Sequence, residues 1–148
     1  MMYKPKNFIL EELVCPHVFR KYGEQAWTFF DYRILMVLDF IRDQLGATYV
    51  NNWDMGGNYS QRGLRCIQCD LVKKAIKNNI LYESAHLRGQ AFDFKVKNKT
   101  YSKVNLWIIS NPIHIPFPIR MEKNTKGWSH VDVCNDGKNG YIVQTFIG

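Results

Sequence analysis

The sequence predicts an α+β fold in which helices pack on a small antiparallel sheet. Two observations point to this class: apolar residues recur at helical spacing mainly in the first half of the chain, and strand-like alternation clusters towards its end. No internal repeat or linker is visible. With 148 residues, 46% of them hydrophobic, the chain is long enough to bury one core, so we expect a single domain over residues 1–148.

Two segments carry the helical pattern most clearly. Residues 29–46 (FFDYRILMVLDFIRDQLG) place apolar side chains on one helical face, and Gly46 is a typical stop. Residues 70–81 (DLVKKAIKNNIL) repeat the same spacing, and a third helix is expected over residues 102–110.

Strands are predicted around these helices. A short one is expected at residues 47–53 (ATYVNNW), followed by a glycine-rich loop of the kind that often carries functional residues. Residues 91–96 (AFDFKV) alternate clearly. The last expected strands are PIRME, WSHVDVC and, after the turn NDGKNG, YIVQTFI.

The charge balance is basic, with 20 Lys and Arg against 13 Asp and Glu. This favours anionic partners such as nucleic acid, cell-wall polymers or a membrane surface, although the scattered lysines are more typical of a solvated face. No nucleic-acid-binding motif is recognisable. The sequence contains neither a run of about 18 apolar residues nor a secretory signal pattern, so we expect a cytoplasmic product without a signal peptide and without membrane insertion.

The chain has four cysteines, and Cys66 and Cys69 have CxxC spacing. A zinc knuckle needs two further ligands, and the candidates Cys15, His17 and Cys134 show no second paired spacing. A thioredoxin-like motif belongs in a different, βαβ pattern. We therefore predict free thiols, with the CxxC pair at the start of a helix.

Two histidines and an aspartate form a candidate metal site. His86 and Asp93 are seven residues apart, and the alternation of WSHVD places Trp128, His130 and Asp132 on one face of a predicted strand. Two imidazoles and one carboxylate make a three-ligand zinc set that leaves a fourth position for water, as a catalytic zinc requires. The residues therefore predict a Zn²⁺ site built from these two imidazoles and one carboxylate.

The expected hairpin between Arg120 and Asp132 offers a candidate general base. If residues 125–127 form a three-residue loop, Glu122 falls opposite His130 and Arg120 falls opposite Asp132. Glu122 would then stand beside the metal, and Asp132 would be held by Arg120. A shift of one residue breaks both pairings, because it moves one strand's side chains to the other face.

Residues 84–93 (SAHLRGQAFD) match every defined position of the pattern SxHxxGxAxD. This segment resembles the zinc D-Ala-D-Ala carboxypeptidase family of peptidoglycan peptidases, which includes bacterial carboxypeptidases, vancomycin-resistance dipeptidases and phage endolysins that cut L-alanyl-D-glutamate bonds. The resemblance implies zinc at His86, Asp93 and His130. It extends upstream, where Phe8 through Leu13 is similar to the F-x-x-x-E-L segment of the short, phage-rich branch.

The resemblance also suggests residues that face the substrate. Gly63-Leu64-Arg65 stands where relatives carry S-G-Y-R, whose arginine polarises the scissile carbonyl, so Arg65 inherits this role with Arg62 as a rival. From the residues themselves, Ser84 is expected to hydrogen-bond the loop or the groups around the metal, and Trp128 to wall the substrate pocket from the strand face that it shares with His130. Arg62, Ser84 and Trp128 are thus the candidate substrate-binding residues.

One position departs from the family pattern. Many relatives place the catalytic glutamate three residues before the last histidine, and here that residue is Gly127. Three alternatives follow. Glu122 serves as the general base in place of that glutamate, or Asp132 does. In the third, the site binds zinc without cleaving peptides, as in Hedgehog-type domains that resemble the family.

Taken together, the residues and the resemblance imply a monomeric zinc metallopeptidase, a D,D-carboxypeptidase or L,D-type endopeptidase acting on peptidoglycan peptides. Its expected setting is the bacterial cell wall, reached after phage-mediated release or as a virion component. The rivals are an inactive zinc-containing wall-binding or structural module and, on charge alone, a nucleic-acid binder.

Overall fold

The computed structural model describes residues 2–148, which form four α-helices and five β-strands joined by short 3₁₀ helices. Met1, the first residue of the expected domain, lies outside this range. The helices are α1 (Pro16–Tyr22), α2 (Tyr32–Leu45), α3 (Asp70–Lys77) and α4 (Tyr101–Ser110). The strands are β1 (Thr48–Tyr49), β2 (Ala91–Val96), β3 (Ile119–Glu122), β4 (Ser129–Asp132) and β5 (Val143–Phe146). Within residues 2–148, none of the helices has the length and apolar character required to cross a bilayer.

The strands form one sheet in the order β1-β2-β4-β3-β5, which confirms the α+β class. Neighbouring strands are antiparallel except β3 and β5, which are parallel, so the expectation of a purely antiparallel sheet is wrong at this edge. The reason is topological. Both edges of β4 are occupied, by β2 and by β3, and the chain leaving β4 therefore passes to the free edge of β3. Asn135 fixes this crossing, because its Nδ2 donates to the carbonyl oxygens of Ile119 (3.1 Å) and Tyr141 (2.8 Å).

The core lies between α2 and β2. The predicted helix is confirmed as α2, with Asp31 as its N-cap and Gly46 as its C-cap. Its apolar face is fully buried, as are both phenylalanines of β2: Ile34, Leu35, Val37, Leu38, Ile41, Phe92 and Phe94. This packing holds β2, the strand that carries Asp93, in place.

Differences from the sequence predictions lie mostly in the N-terminal half. The pattern missed α1 and the 3₁₀ helices, and the strand expected at residues 47–53 pairs only over two residues. After β1, the Asn51 side chain donates to Val14 O and accepts from Arg62 N (both 3.0 Å), so this segment cross-links loops instead of extending the sheet. The helix expected over residues 70–81 ends at Lys77.

Asp39 on α2 is a buried carboxylate that anchors the N-terminal segment. It is 2% exposed and accepts hydrogen bonds from Tyr3 Oη (2.7 Å), Lys6 N (2.9 Å), Asn7 N (3.2 Å) and Asn7 Nδ2 (3.1 Å). Burial and the contact with Asp39 raise the pKa of Tyr3 to about 12. The segment before the first 3₁₀ helix is therefore tied to the core by one side chain.

Asp39→Ala is expected to lower the free energy of unfolding by about 2–4 kcal/mol, because it removes the shared acceptor of four partly buried hydrogen bonds. Denaturant unfolding followed by circular dichroism measures the change. Asp43→Ala on the same helix is the matched control. Its partner Lys6 is exposed, so the expected loss is below about 1 kcal/mol. Equal losses for the two variants would contradict the anchoring role.

Candidate metal centre

The three predicted ligands meet in the structure. His86 lies in the 3₁₀ helix Ala85–Arg88 just before β2, Asp93 lies in β2, and His130 lies in β4 directly opposite Asp93. All three side chains are buried. One ligand atom from each lies within 4.8 Å of the other two, so the group could hold a metal ion.

The ring orientation of His86 suits a metal ligand. Its Nδ1 lies 2.8 Å from Gly63 O, and a carbonyl oxygen requires a proton on that nitrogen. Nε2 therefore presents its lone pair, and it lies 3.3 Å from Asp93 Oδ2. His130 approaches from the other side, with Nδ1 2.7 Å from Asp93 Oδ1. A carbonyl that fixes the tautomer in this way is the usual outer partner of a metal-binding histidine.

The small and polar residues of the 84–93 motif shape the turn that carries His86. The Ser84 hydroxyl accepts from His86 N (3.3 Å) and caps the 3₁₀ helix, as predicted. Gly89 ends that helix in the left-handed region, with φ of +63°, and a β-carbon there would overlap the Phe29 carbonyl. A residue with a side chain is therefore disfavoured at this turn, both by the backbone conformation and by the overlap.

The electrostatics of the site favour a positive charge among these side chains. Burial opposes ionisation of Asp93, but hydrogen bonds with His130 and His86 hold the pKa of this carboxyl well below its usual value. Burial lowers the pKa of His86. Burial also acts to lower the pKa of His130, yet contacts with Asp132 and Asp93 raise it to about 9. A divalent cation bound among these groups would balance the negative charges of Asp93 and Asp132.

The Arg65 side chain contacts the candidate metal ligands, whereas that of Arg62 does not. The Arg65 guanidinium donates to Asp93 Oδ2 (3.0 Å) and also to Tyr82 Oη and Gln61 O. The Arg62 guanidinium instead stacks on the Tyr59 ring at 3.6 Å and lines a neighbouring cavity. Of the two candidates, Arg65 is the one whose side chain contacts a predicted metal ligand.

The predicted pairing of Arg120 with Asp132 is confirmed, and Met121 pairs with Val131. The paired register of β3 and β4 ends there, so the pairing of Glu122 with His130 stays a prediction, although both residues line the same cavity. The connection is more open than the three-residue loop expected, because β3 ends at Glu122 and β4 begins at Ser129. At this end of β3, Lys123 N donates to Phe146 O (2.9 Å), so the pairing with β5 continues past the last residue paired with β4.

Asp132 and Glu122, the two candidate bases, have different surroundings. Asp132 is fully buried and accepts from Arg120 Nε and Nη2 and from Cys134 N, each at 2.9 Å. Burial opposes its ionisation, but the hydrogen bonds from His130 and Arg120 keep its pKa well below the usual value, which makes it a weak base. Within residues 2–148, no hydrogen bond or salt bridge engages the Glu122 carboxylate, which lies beside Gly148.

A cavity of about 270 Å³ unites these groups. The predicted residues that line it are Arg65, Ser84, His86, Asp93, Glu122, Trp128, His130 and Asp132. Sequence reasoning missed Phe146, whose ring meets His130 edge-on at 5.8 Å and lies under the Arg120 guanidinium at 4.6 Å. Alternation identified its strand, but the parallel pairing that brings the ring to the site has no local signature.

A second group of ligands lies elsewhere in the chain. Cys15, His17, Cys66 and Cys69 bring their ligand atoms within 4.8 Å of one another, so this group could also hold a metal ion. The cysteines are free thiols and Cys69 caps α3, as predicted. The expectation that no further ligands join the CxxC pair is wrong, because a backbone bridge between Val14 and Leu64 brings the two segments together.

In comparisons with known proteins, no family model, curated protein or solved structure matches this chain. The resemblance to peptidoglycan peptidases therefore rests on the sequence motifs alone.

Proposed function

We propose that this protein is a zinc-dependent peptidase that cleaves peptide bonds in peptidoglycan stem peptides or cross-links. One observation carries the proposal: His86, Asp93 and His130 converge in a cavity that also holds an unengaged carboxylate, Glu122. The resemblance of residues 84–93 to the peptidase motif supports the substrate class.

The donor set fits zinc. Two imidazole nitrogens and one carboxylate are typical of catalytic zinc sites, which retain an open position. When bound, zinc polarises a carbonyl group and makes a water molecule more acidic. A structural zinc is more often closed by four protein ligands, which this group does not supply.

The chain's own residues have distinct roles in the proposed reaction. Glu122 takes the proton of the attacking water and passes it to the leaving amine, because its carboxylate is free to accept one. Arg65 holds the Asp93 carboxylate in place, and its positive charge favours the negative charge that develops on the carbonyl oxygen. Trp128 and Phe146 supply apolar walls for the peptide.

The charge of the chain agrees with this substrate. A formal net charge of +7 attracts anionic wall polymers and increases the rate of encounter with them. We place the protein, acting as a monomer, at the bacterial wall after phage-mediated release or as a virion component.

Peptidoglycan digestion tests the proposal. The zinc-loaded protein is incubated with purified walls of several stem-peptide types, and mass spectrometry follows new amino groups and product masses. We expect products whose masses identify the bond, no products after chelation, and recovery of cleavage when zinc is restored. The chelated sample serves as the matched control.

A zinc-containing wall-binding module is the second candidate, favoured by Gly127 at the position where relatives carry the catalytic glutamate. It predicts co-sedimentation of the zinc-loaded protein with walls and no released amines from any wall type. That pair of results would replace the peptidase proposal.

A further inference from the structure

We propose that Cys15, His17, Cys66 and Cys69 form a second, structural zinc site, separate from the His86 group. Four ligands from two segments supply a complete Cys₃His set with no open position. Closed tetrahedral sites of this composition are typical of zinc that stabilises a fold.

The sulfur geometry fits a shared metal and does not fit a disulfide. Cys15 Sγ and Cys66 Sγ are 3.6 Å apart. A disulfide requires about 2.05 Å. Zinc–sulfur bonds of about 2.3 Å at tetrahedral angles place two sulfurs about 3.8 Å apart, close to the separation seen here.

His17 provides an independent indication. Its Nδ1 is one of two buried side-chain polar atoms without a hydrogen-bond partner in residues 2–148. A buried polar atom left without a partner destabilises the folded protein. The same imidazole supplies the fourth ligand of the cysteine cluster, so coordination of a metal through Nδ1 would give this atom a partner.

The backbone holds the two ligand pairs together across 51 residues of sequence. Leu64 N donates to Leu13 O (2.8 Å) and Cys15 N donates to Leu64 O (3.1 Å). Gly63 makes this approach possible, because a β-carbon there would overlap the Leu13 carbonyl. The ligand pairs are therefore positioned by paired main chain as well as by the side chains themselves.

Backbone amides also point at the sulfurs. Gln68 N donates to Cys66 Sγ and Cys66 N donates to Cys69 Sγ, both at 3.4 Å. Such donors stabilise thiolate charge, and the thiolate is the form that binds metal. Arg20 and Lys21 line the adjoining cavity and partly offset the net negative charge of three thiolates around one zinc ion.

Zinc at the cysteine cluster would stabilise the Gly63–Cys66 loop, which contacts His86. Between the two ligand pairs, Gly63 O accepts from His86 Nδ1, and Arg65 N donates to His86 O (3.2 Å). Arg65 directly precedes Cys66. Loss of the structural zinc should therefore lower stability and weaken metal binding by the His86 group without removing any of its ligands.

Metal analysis and cobalt spectroscopy test the proposal. Protein purified under reducing conditions should contain about two zinc ions per chain, and Cys66→Ser or Cys69→Ser should reduce this to about one. Cobalt-substituted wild type should show thiolate-to-cobalt charge-transfer absorption, which Cys66→Ser should lose. Cys134→Ser is the matched control and should keep the absorption, because Cys134 lies outside the cluster. His17→Cys, which completes a four-cysteine set, should retain both metals.

Thiol protection tests the site in the wild type, in case a serine variant fails to fold. Three of the four cysteines should resist alkylation until a chelator is added, while Cys134 reacts, as mapped by peptide mass spectrometry. Uniform alkylation without chelator, a disulfide among these cysteines, or a cobalt spectrum unchanged in Cys66→Ser would overturn the proposal. None of these measurements depends on peptidase activity.

Discussion

Glu122→Gln is expected to lower kcat/KM for peptidoglycan cleavage by about 10²–10⁴-fold while zinc content stays at the wild-type level. The substitution keeps the size of the side chain and removes its ability to accept a proton. Glu122 lines the cavity but is not one of the clustered ligands, so metal binding should be unaffected. Amine release and zinc analysis on the same preparation measure both quantities.

Asp132→Asn separates the two candidate bases. This change disrupts the paired hydrogen bonds with Arg120 and the contact with His130, so we expect weaker zinc binding and lower stability along with lost activity. Glu24→Gln, on an exposed side chain away from the cavity, should behave like wild type in all three assays. Wild-type cleavage by Glu122→Gln, with loss in an Asp132→Asn protein that keeps its zinc, would assign the base to Asp132.

The sequence predicted the parts of this site that depend on local rules. The pairing of Arg120 with Asp132 was predicted from an assumed three-residue loop, and the period of two on each strand restricted it further, since any odd shift would have moved one motif to the other face. The turn around Gly89 was predictable because a left-handed conformation after a short helix selects glycine. Residues 91–96 and the buried face of α2 followed from periodicity alone.

Other parts depend on contacts between distant segments and have no local pattern. Phe146 reaches His130 because β4 has no free edge and β5 pairs with β3, a consequence of the whole sheet order. The Cys₃His cluster depends on backbone hydrogen bonds near Leu13 and Leu64, which any residue type with a free amide can make. Ligand spacing identified one half of that cluster, Cys66 and Cys69, but not its partner half.

His86→Ala is expected to remove one zinc ion and to lower wall cleavage by more than about 10³-fold, because the metal's contribution to the reaction is lost together with the ligand. The variant leaves Gly63 O without its partner, so the free energy of unfolding should also fall by about 1–3 kcal/mol. Zinc analysis, amine release and denaturant unfolding measure the three effects. His114→Ala, on an exposed histidine outside both ligand groups, is the matched control and should leave all three unchanged.

The cobalt spectrum of His86→Ala distinguishes the two metal sites. Thiolate-to-cobalt absorption should persist, because His86 supplies no ligand to the cysteine cluster, while cleavage is lost. The converse variant, Cys66→Ser, should lose the absorption but keep measurable cleavage, since its effect on the active site acts only through the Gly63–Cys66 loop. Wall lysis that continues at the wild-type rate in His86→Ala would exclude the proposed metal centre as the source of activity. Loss of the thiolate signal in the same variant would instead mean that the two ligand groups fold as one unit, since His86 is linked to that loop through Gly63 O and Arg65 N.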